Sequence, residues 1–178
     1  MEIHTPRLLL REYIADDLEA ILAFESDPMV VQYVCYGPYS REECWQDLAN
    51  HIDQQTAVLR THYHLGIILT EEAKLIGWCG LEMINRENRE AEIGYALHRA
   101  YWGYGYMTEA ARAILQAGFA ELQLHRIFAT CHPDNVGSIR VLERLGMRYE
   151  GCLRKQKWCR NGWRDVSIYA LLEEEWQT

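Results

Sequence analysis

Apolar and polar positions along the chain change period several times, and each change predicts an element. A first strand is expected over about Arg7 to Glu12. Asp16 and Asp17 then bring negative charge to the first turn of a helix carrying Leu18, Ile21 and Leu22, which Pro28 ends. Ser40 followed three residues later by Glu43 fits a capping box and opens a second helix, through Trp45 and Leu48 to about Ile52. Three strand-like runs follow, Tyr63 to Leu69, Lys74 to Ile84 and Glu90 to His98, separated by polar clusters, and an antiparallel meander accounts for them economically. From Met107 the period becomes helical, with Ala111, Ile114, Leu115, Gly118, Phe119 and Leu122 on one stripe. A short strand, Arg126 to Cys131, leads through Pro133-Asp134-Asn135 into a helix with Ile139, Leu142 and Leu145, ended by Gly146. Two closing strands, near Met147 to Lys157 and Arg164 to Leu172, flank a turn at Asn161-Gly162. The expectation is one α/β domain with a mixed, mostly antiparallel seven-stranded sheet and four helices.

Composition narrows the class. With 178 residues, 49% of them hydrophobic, the chain can bury a core without disulfides or a structural metal. Eighteen Lys and Arg against 26 Asp and Glu give a formal charge of −8, which argues against a nucleic-acid partner, because that affinity rests on cationic side chains displacing counterions. Six cysteines without a C-x-x-C pair are read as reduced thiols in a cytoplasm, and no apolar run is long enough for a signal peptide or a membrane span. His62 and His64 share a strand face but lack a third ligand, so no metal is expected.

The most informative stretch is Trp102-Gly103-Tyr104-Gly105-Tyr106-Met107-Thr108, between a strand and the long helix. Glycines let the main chain turn sharply, and the unpaired N–H groups of a helix's first turn favour a phosphate. A P-loop is excluded because no lysine occurs between Lys74 and Lys155, and a dinucleotide fingerprint fails because Thr108 and His125 stand near its third glycine and acidic residue. A simple tight strand-to-helix turn is the competing explanation.

The order of elements, this G-x-G turn after the fourth strand and the later Asn135-Val136-Gly137-Ser138 resemble the GNAT superfamily of acetyl-CoA-dependent N-acetyltransferases. Thr5 to Arg11 (T-P-R-L-x-L-R), Ala91 to Tyr95 (A-E-I-G-Y), Trp102 to Ala110 and Leu142 to Met147 resemble the ribosomal-protein N-terminal acetyltransferase branch, the RimJ/RimL-like proteins. The resemblance implies that acetyl-CoA is held through its pyrophosphate by the main chain of Trp102, Gly103, Tyr104, Gly105, Tyr106, Met107 and Thr108. It also implies that pantetheine runs beside Ala96, Leu97 and His98, where the fourth strand splays from the fifth. Strand parity is compatible with such a groove: Ala91, Ile93, Tyr95 and Leu97 share one face, leaving the small Gly94 and Ala96 on the other with Glu92 and His98.

Acetyl transfer to an amine of pKa about 10 requires a base, an oxyanion donor and a partner for the departing thiolate. Glu92 is the candidate base, through its position beside the proposed thioester; an ordinary strand carboxylate is the alternative. Backbone N–H groups near Ala96 are the candidate oxyanion donors. Ser138 resembles the serine that hydrogen-bonds the leaving sulfur, and Asn135 is read both as a helix N-cap and as a pantetheine contact. Cys131 reads as a small buried residue, which favours direct attack in a ternary complex over a covalent acyl-enzyme. Trp158, Trp163 and Tyr169 read as core or rim packing, with use by an acceptor pocket as the alternative. Four positions depart from the family pattern: Trp102 replaces an arginine or glutamine, Met107 a small residue, Leu142 a tyrosine acid, and Lys157 an acidic residue. The branch implies a protein N-terminal amine as acceptor and a homodimer. A small amine and a catalytically silent acyl-CoA-binding module are the competing readings.

Overall fold

The expected elements form, with one addition. Glu2–His4 makes a three-residue strand (β1) pairing antiparallel with Leu8–Arg11 (β2), so the sheet in this computed structural model has eight strands and not seven. Three residues are too few to show an alternation, and β1 exists only because β2 offers it a free edge. The structure describes residues 1–160 and 162–176. Asn161 of the expected closing turn lies outside the described residues.

The remaining elements are α1 (Leu18–Glu25), α2 (Arg41–Gln55), β3 (His62–Leu69), β4 (Lys74–Asn85), β5 (Glu90–Leu97), α3 (Tyr106–Ala120), β6 (Arg126–Cys131), α4 (Val136–Arg144), β7 (Arg148–Cys159) and β8 (Gly162–Leu172). The sheet order is β1-β2-β3-β4-β5-β6-β8-β7, antiparallel throughout except between β5 and β6. The capping box forms as read, with Glu43 N–H donating to Ser40 Oγ at 3.2 Å and Ser40 N–H to Glu43 Oε2 at 2.8 Å. Asp16 and Asp17 instead lie in a 3-10 turn before α1, where the Asp17 carboxylate is claimed by Arg11 at 2.7 Å and by the Ile14 amide at 2.9 Å.

Each sheet face carries its own core. Ala110, Ala111, Ile114 and Leu115 of α3 and Leu142 of α4 pack on Leu81, Ile93 and Ile127. Ile21 and Phe24 of α1, with Cys44 and Leu48 of α2, pack on Ile68 and Leu75 of the other face. Gly118 permits the close approach of α3, since a Cβ there would lie 2.7 Å from Ile127 Cδ1.

Two features position the site. The parallel pairing of β5 with β6 ends at Glu92 opposite Phe128, although β5 runs on to Leu97 and β6 to Cys131, so the strands diverge beyond that pair. The segment between α1 and α2 then crosses the mouth of the gap, held to β8 by Arg164, which donates to the Gln32 and Val34 carbonyls at 3.3 Å. Cys35 in this segment is disulfide-bonded to Cys159, 124 residues away, which corrects the reading of all six cysteines as separate reduced thiols. Their spacing gave no sign because the fold alone brings them together. No described helix is long and apolar enough to cross a membrane.

Candidate active site

The divergence of β5 and β6 opens a cavity of about 770 Å³ bounded by the first turns of α3 and α4. At the α3 end, Gly103 and Gly105 adopt φ +86° and +81°, a region that disfavours side chains. Gly105 is the N-cap and supplies no side-chain acceptor, so the amides of Tyr106, Met107 and Thr108 keep their unpaired donors in a helix's first turn. A Cβ at Gly103 would meet nothing within 4 Å, so the loop stands open toward a ligand. This cradle fits a diphosphate through main-chain amides and the helix dipole.

Glu109, an acid in that first turn, is neutralised from the chain's start. Arg7 Nε donates to Glu109 Oε2 at 2.7 Å, Thr5 Oγ1 donates to Glu109 Oε1 at 2.7 Å, and the Arg7 guanidinium lies 4.4 Å over the Tyr106 ring. Burial raises the Glu109 pKa, but Thr5 and Arg7 together outweigh it and hold the carboxylate below its ordinary range. Arg7 also donates to the Tyr104 carbonyl at 3.1 Å, so the Thr5-Pro6-Arg7 motif fastens the glycine loop. Trp102, in place of the expected polar residue, donates its indole N–H to the Leu97 carbonyl at 2.7 Å and closes the loop onto β5.

Of the residues singled out for the cofactor, Ala96, Leu97, Trp102, Gly103, Gly105, Tyr106, Met107, Thr108, Asn135 and Ser138 line the cavity. His98 and Tyr104 do not. His98 Nδ1 instead accepts from the Ala100 amide at 3.1 Å, capping a 3-10 turn, and the Tyr104 side chain points to solvent, 64% exposed. The backbone donors facing the gap, expected near Ala96, lie on either side of it. His98 N–H donates to the Ile76 carbonyl at 2.8 Å, toward β4, so by alternation Ala96 turns the same way. Tyr95 and Leu97 turn their backbone groups to the gap.

At the α4 end, Asn135 Oδ1 accepts from the Ser138 amide at 3.1 Å, the N-cap role read from sequence. Ser138 Oγ lies 2.9 Å from the Tyr95 hydroxyl. Burial raises the Tyr95 pKa, only partly offset by Ser138, and so keeps the phenol protonated. Sequence reading placed Tyr95 on the core face and missed it as a site residue; its position opposite a helix start was the available signal. Leu142, expected from the resemblance to stand in place of a tyrosine acid, is fully buried in the core. Burial pushes the Cys131 thiol up to about 11, consistent with a packing role.

Glu92 lies at the last paired position before the gap but outside the cavity lining. It accepts a hydrogen bond from the Thr130 hydroxyl, and Lys157 Nζ approaches the same hydroxyl oxygen at 3.5 Å. Trp158 and Trp163 are exposed, whereas Tyr169 is core.

On the opposite face of the sheet, α1, α2, β3 and β4 border a second, partly open chamber of about 250 Å³, lined among others by Glu25, Tyr36, Asp47, His64 and Trp78. His64 stacks between His51 and Trp78, with ring centroids 4.1 and 4.3 Å away, so the histidine considered for a metal is occupied in an aromatic stack. Burial, then His51 and His62, hold His64 well below its ordinary pKa and neutral. Tyr36 lines both cavities, and Trp78 abuts Gly94, where a Cβ would lie 3.1 Å from the indole.

Comparison with known proteins agrees with this geometry. Residues 7–148 match the family model described as Acetyltransferase (GNAT) domain. The chain is 39% identical over 176 residues to "Uncharacterized N-acetyltransferase YnaD" of Bacillus subtilis, covering 99% of both chains. It is 32% identical over 105 residues to the "Ribosomal-protein-serine acetyltransferase" of Escherichia coli, covering 59% of each. A GNAT-family acetyltransferase of Bacillus anthracis of known crystal structure superposes with a TM-score of 0.88 at 36% identity, covering 98% of this chain and 100% of that one. The chain belongs to the GNAT family and is an N-acetyltransferase, of a class that draws its acetyl group from acetyl-CoA.

Proposed function

We propose that the protein acetylates a primary amine by direct attack in a ternary complex formed across the β5–β6 gap. One observation carries this reading: the β5–β6 pairing stops at Glu92 and Phe128, and the free amides of α3 and the Tyr95–Ser138 hydroxyls converge on the opening. Acetyl-CoA supplies the activated acetyl group as a thioester. The α3 amides hold the diphosphate end, and the strand edge of Tyr95 and Leu97 offers backbone donors to the acyl arm. Ser138, whose hydroxyl is paired with the protonated Tyr95 phenol, supplies a proton toward the leaving sulfur. The pair takes the place of the tyrosine that Leu142 replaces, which weighs against a catalytically silent module.

Glu92 accepts the amine's proton through a water at the gap's edge, with Thr130 orienting its carboxylate. The likeness to a ribosomal-protein-serine acetyltransferase supports a protein amino terminus as acceptor. The small chamber behind Trp78 supports a small amine instead. A thiol-release assay with acetyl-CoA over peptide amino termini, alkyl amines, polyamines and amino sugars tests the proposal. Turnover of at least one class is expected; binding of acetyl-CoA without turnover of any amine overturns it.

A further inference from the structure

The chamber between α1, α2, β3 and β4 contains an acid that the chemistry above does not use. Glu25 is 4% exposed, and its Oε1 accepts from the Trp78 indole N–H at 2.9 Å. Its Oε2 is buried and has no hydrogen-bond partner among the described residues; the Tyr36 hydroxyl approaches the carboxylate without satisfying it. Leaving a buried carboxylate oxygen unpaired is costly; below about pH 7 a proton relieves that cost, and once the carboxyl ionises a cation is the partner that does so.

The chamber's other charged and titratable groups are consistent with a cation as guest. Asp47 and Glu82 add negative charge, Asp47 approached by His51 at 3.4 Å and Glu82 by His62 at 3.3 Å. His64 is held neutral, and among the described residues no Lys or Arg lines the space. Tyr13, Tyr36, Tyr39 and Trp78 supply aromatic walls, which attract an ammonium group. The volume of about 250 Å³ suits a small organic amine and excludes a folded chain end.

The chamber adjoins the reaction gap. Trp78 spans from Glu25, which it bonds, to Gly94, which it contacts, and Tyr36 is shared by both cavities.

We infer that the Glu25 chamber binds a second ammonium group of the acceptor, so that the substrate is a small diamine or polyamine whose other amino group reaches the thioester. This rests on the proposed function and narrows its acceptor. The expected preference follows from one charge-assisted hydrogen bond to a buried carboxylate, a factor of about tenfold to a hundredfold.

The test compares putrescine and cadaverine with butylamine and pentylamine at saturating acetyl-CoA, in the wild-type protein and in Glu25→Gln and Asp47→Asn. The wild type is expected to favour each diamine over its matched monoamine by at least about tenfold in kcat/KM, mostly through KM. Glu25→Gln should bring that ratio to within about twofold of unity, and Asp47→Asn should reduce it in part. A wild-type ratio near unity, or a Glu25→Gln variant that keeps the wild-type ratio, overturns the inference. Calorimetric titration with cadaverine and pentylamine separates this from the catalytic reading. Cadaverine bound about tenfold more tightly than pentylamine by the wild type but not by Glu25→Gln, with no amine of any class turned over, upholds the chamber and sinks the catalytic proposal. Turnover of peptides with cadaverine neither bound nor acetylated does the reverse.

Discussion

The Tyr95 hydroxyl on β5 and the Ser138 Oγ on the first turn of α4 lie 2.9 Å apart, joining β5 to the α4 side of the cavity. Neither is a strong acid alone. Paired, they hold a proton where a thiolate must leave. Ser138→Ala is expected to lower kcat by roughly tenfold to a hundredfold with little change in acetyl-CoA affinity, and Tyr95→Phe by somewhat less. Because the two act as a unit, the double variant should lose little more than Ser138→Ala alone, measured by thiol release. Full additivity would separate their roles.

Glu92→Gln tests the base. The rate should fall most at moderate pH and least as the pH approaches the amine's own pKa of about 10, where the nucleophile deprotonates unaided. An equal loss at every pH removes Glu92 from proton transfer. Thr130→Val, which deletes the hydroxyl that holds the Glu92 carboxylate, should lower the rate by a smaller factor with the same pH dependence.

Gly105→Ala tests the diphosphate cradle. Residue 105 holds φ +81°, so an alanine there costs about 1–2 kcal/mol of backbone strain or shifts the first turn of α3. Calorimetry should show acetyl-CoA affinity falling about tenfold, with the fold retained by circular dichroism. Unchanged affinity would place the diphosphate elsewhere.

Glu25 gives the protein a predictable pH dependence of stability. Burial raises its carboxyl pKa to about 7 from an ordinary 4.5, helped by nearby Asp47 and opposed by the Trp78 hydrogen bond, Tyr36 and His51. Between those values the folded chain keeps a proton that the unfolded chain has released, so raising the pH costs stability, and the full penalty applies above about pH 7. Glu25→Gln removes that charge and keeps an acceptor for Trp78. It should match the wild type in urea unfolding at about pH 4 and exceed it at about pH 8, by up to about 3 kcal/mol. A constant difference at both pH values would show that Glu25 carries no raised pKa.

Much of the fold was legible because its signals are local. The Ser40–Glu43 box, the α3 stripe at Ala111, Ile114 and Leu115, and the Arg126–Cys131 strand each depend on residues a few positions apart. The β1 strand was not legible, since it exists only as a partner to β2. The divergence of β5 from β6 was expected from the family resemblance and not from the residues, because parallel pairing between strands joined through a helix leaves no mark in either strand's own pattern.

The site divides in the same way. By itself the chain determined the glycine loop before α3, the Asn135 cap and the parity of β5, because backbone conformation and side-chain alternation are properties of short segments. Tertiary structure alone decided that Arg7 and Thr5 neutralise Glu109, that Tyr95 meets Ser138, that Lys157 and Glu92 share Thr130, that Cys35 meets Cys159, and that Glu25 is left with an unpartnered oxygen behind Trp78. Each of these joins residues from 27 to 124 positions apart. Charge and hydrogen-bond complementarity act over a few ångströms of space, and only the packed sheet and helices set which distant residues come that close.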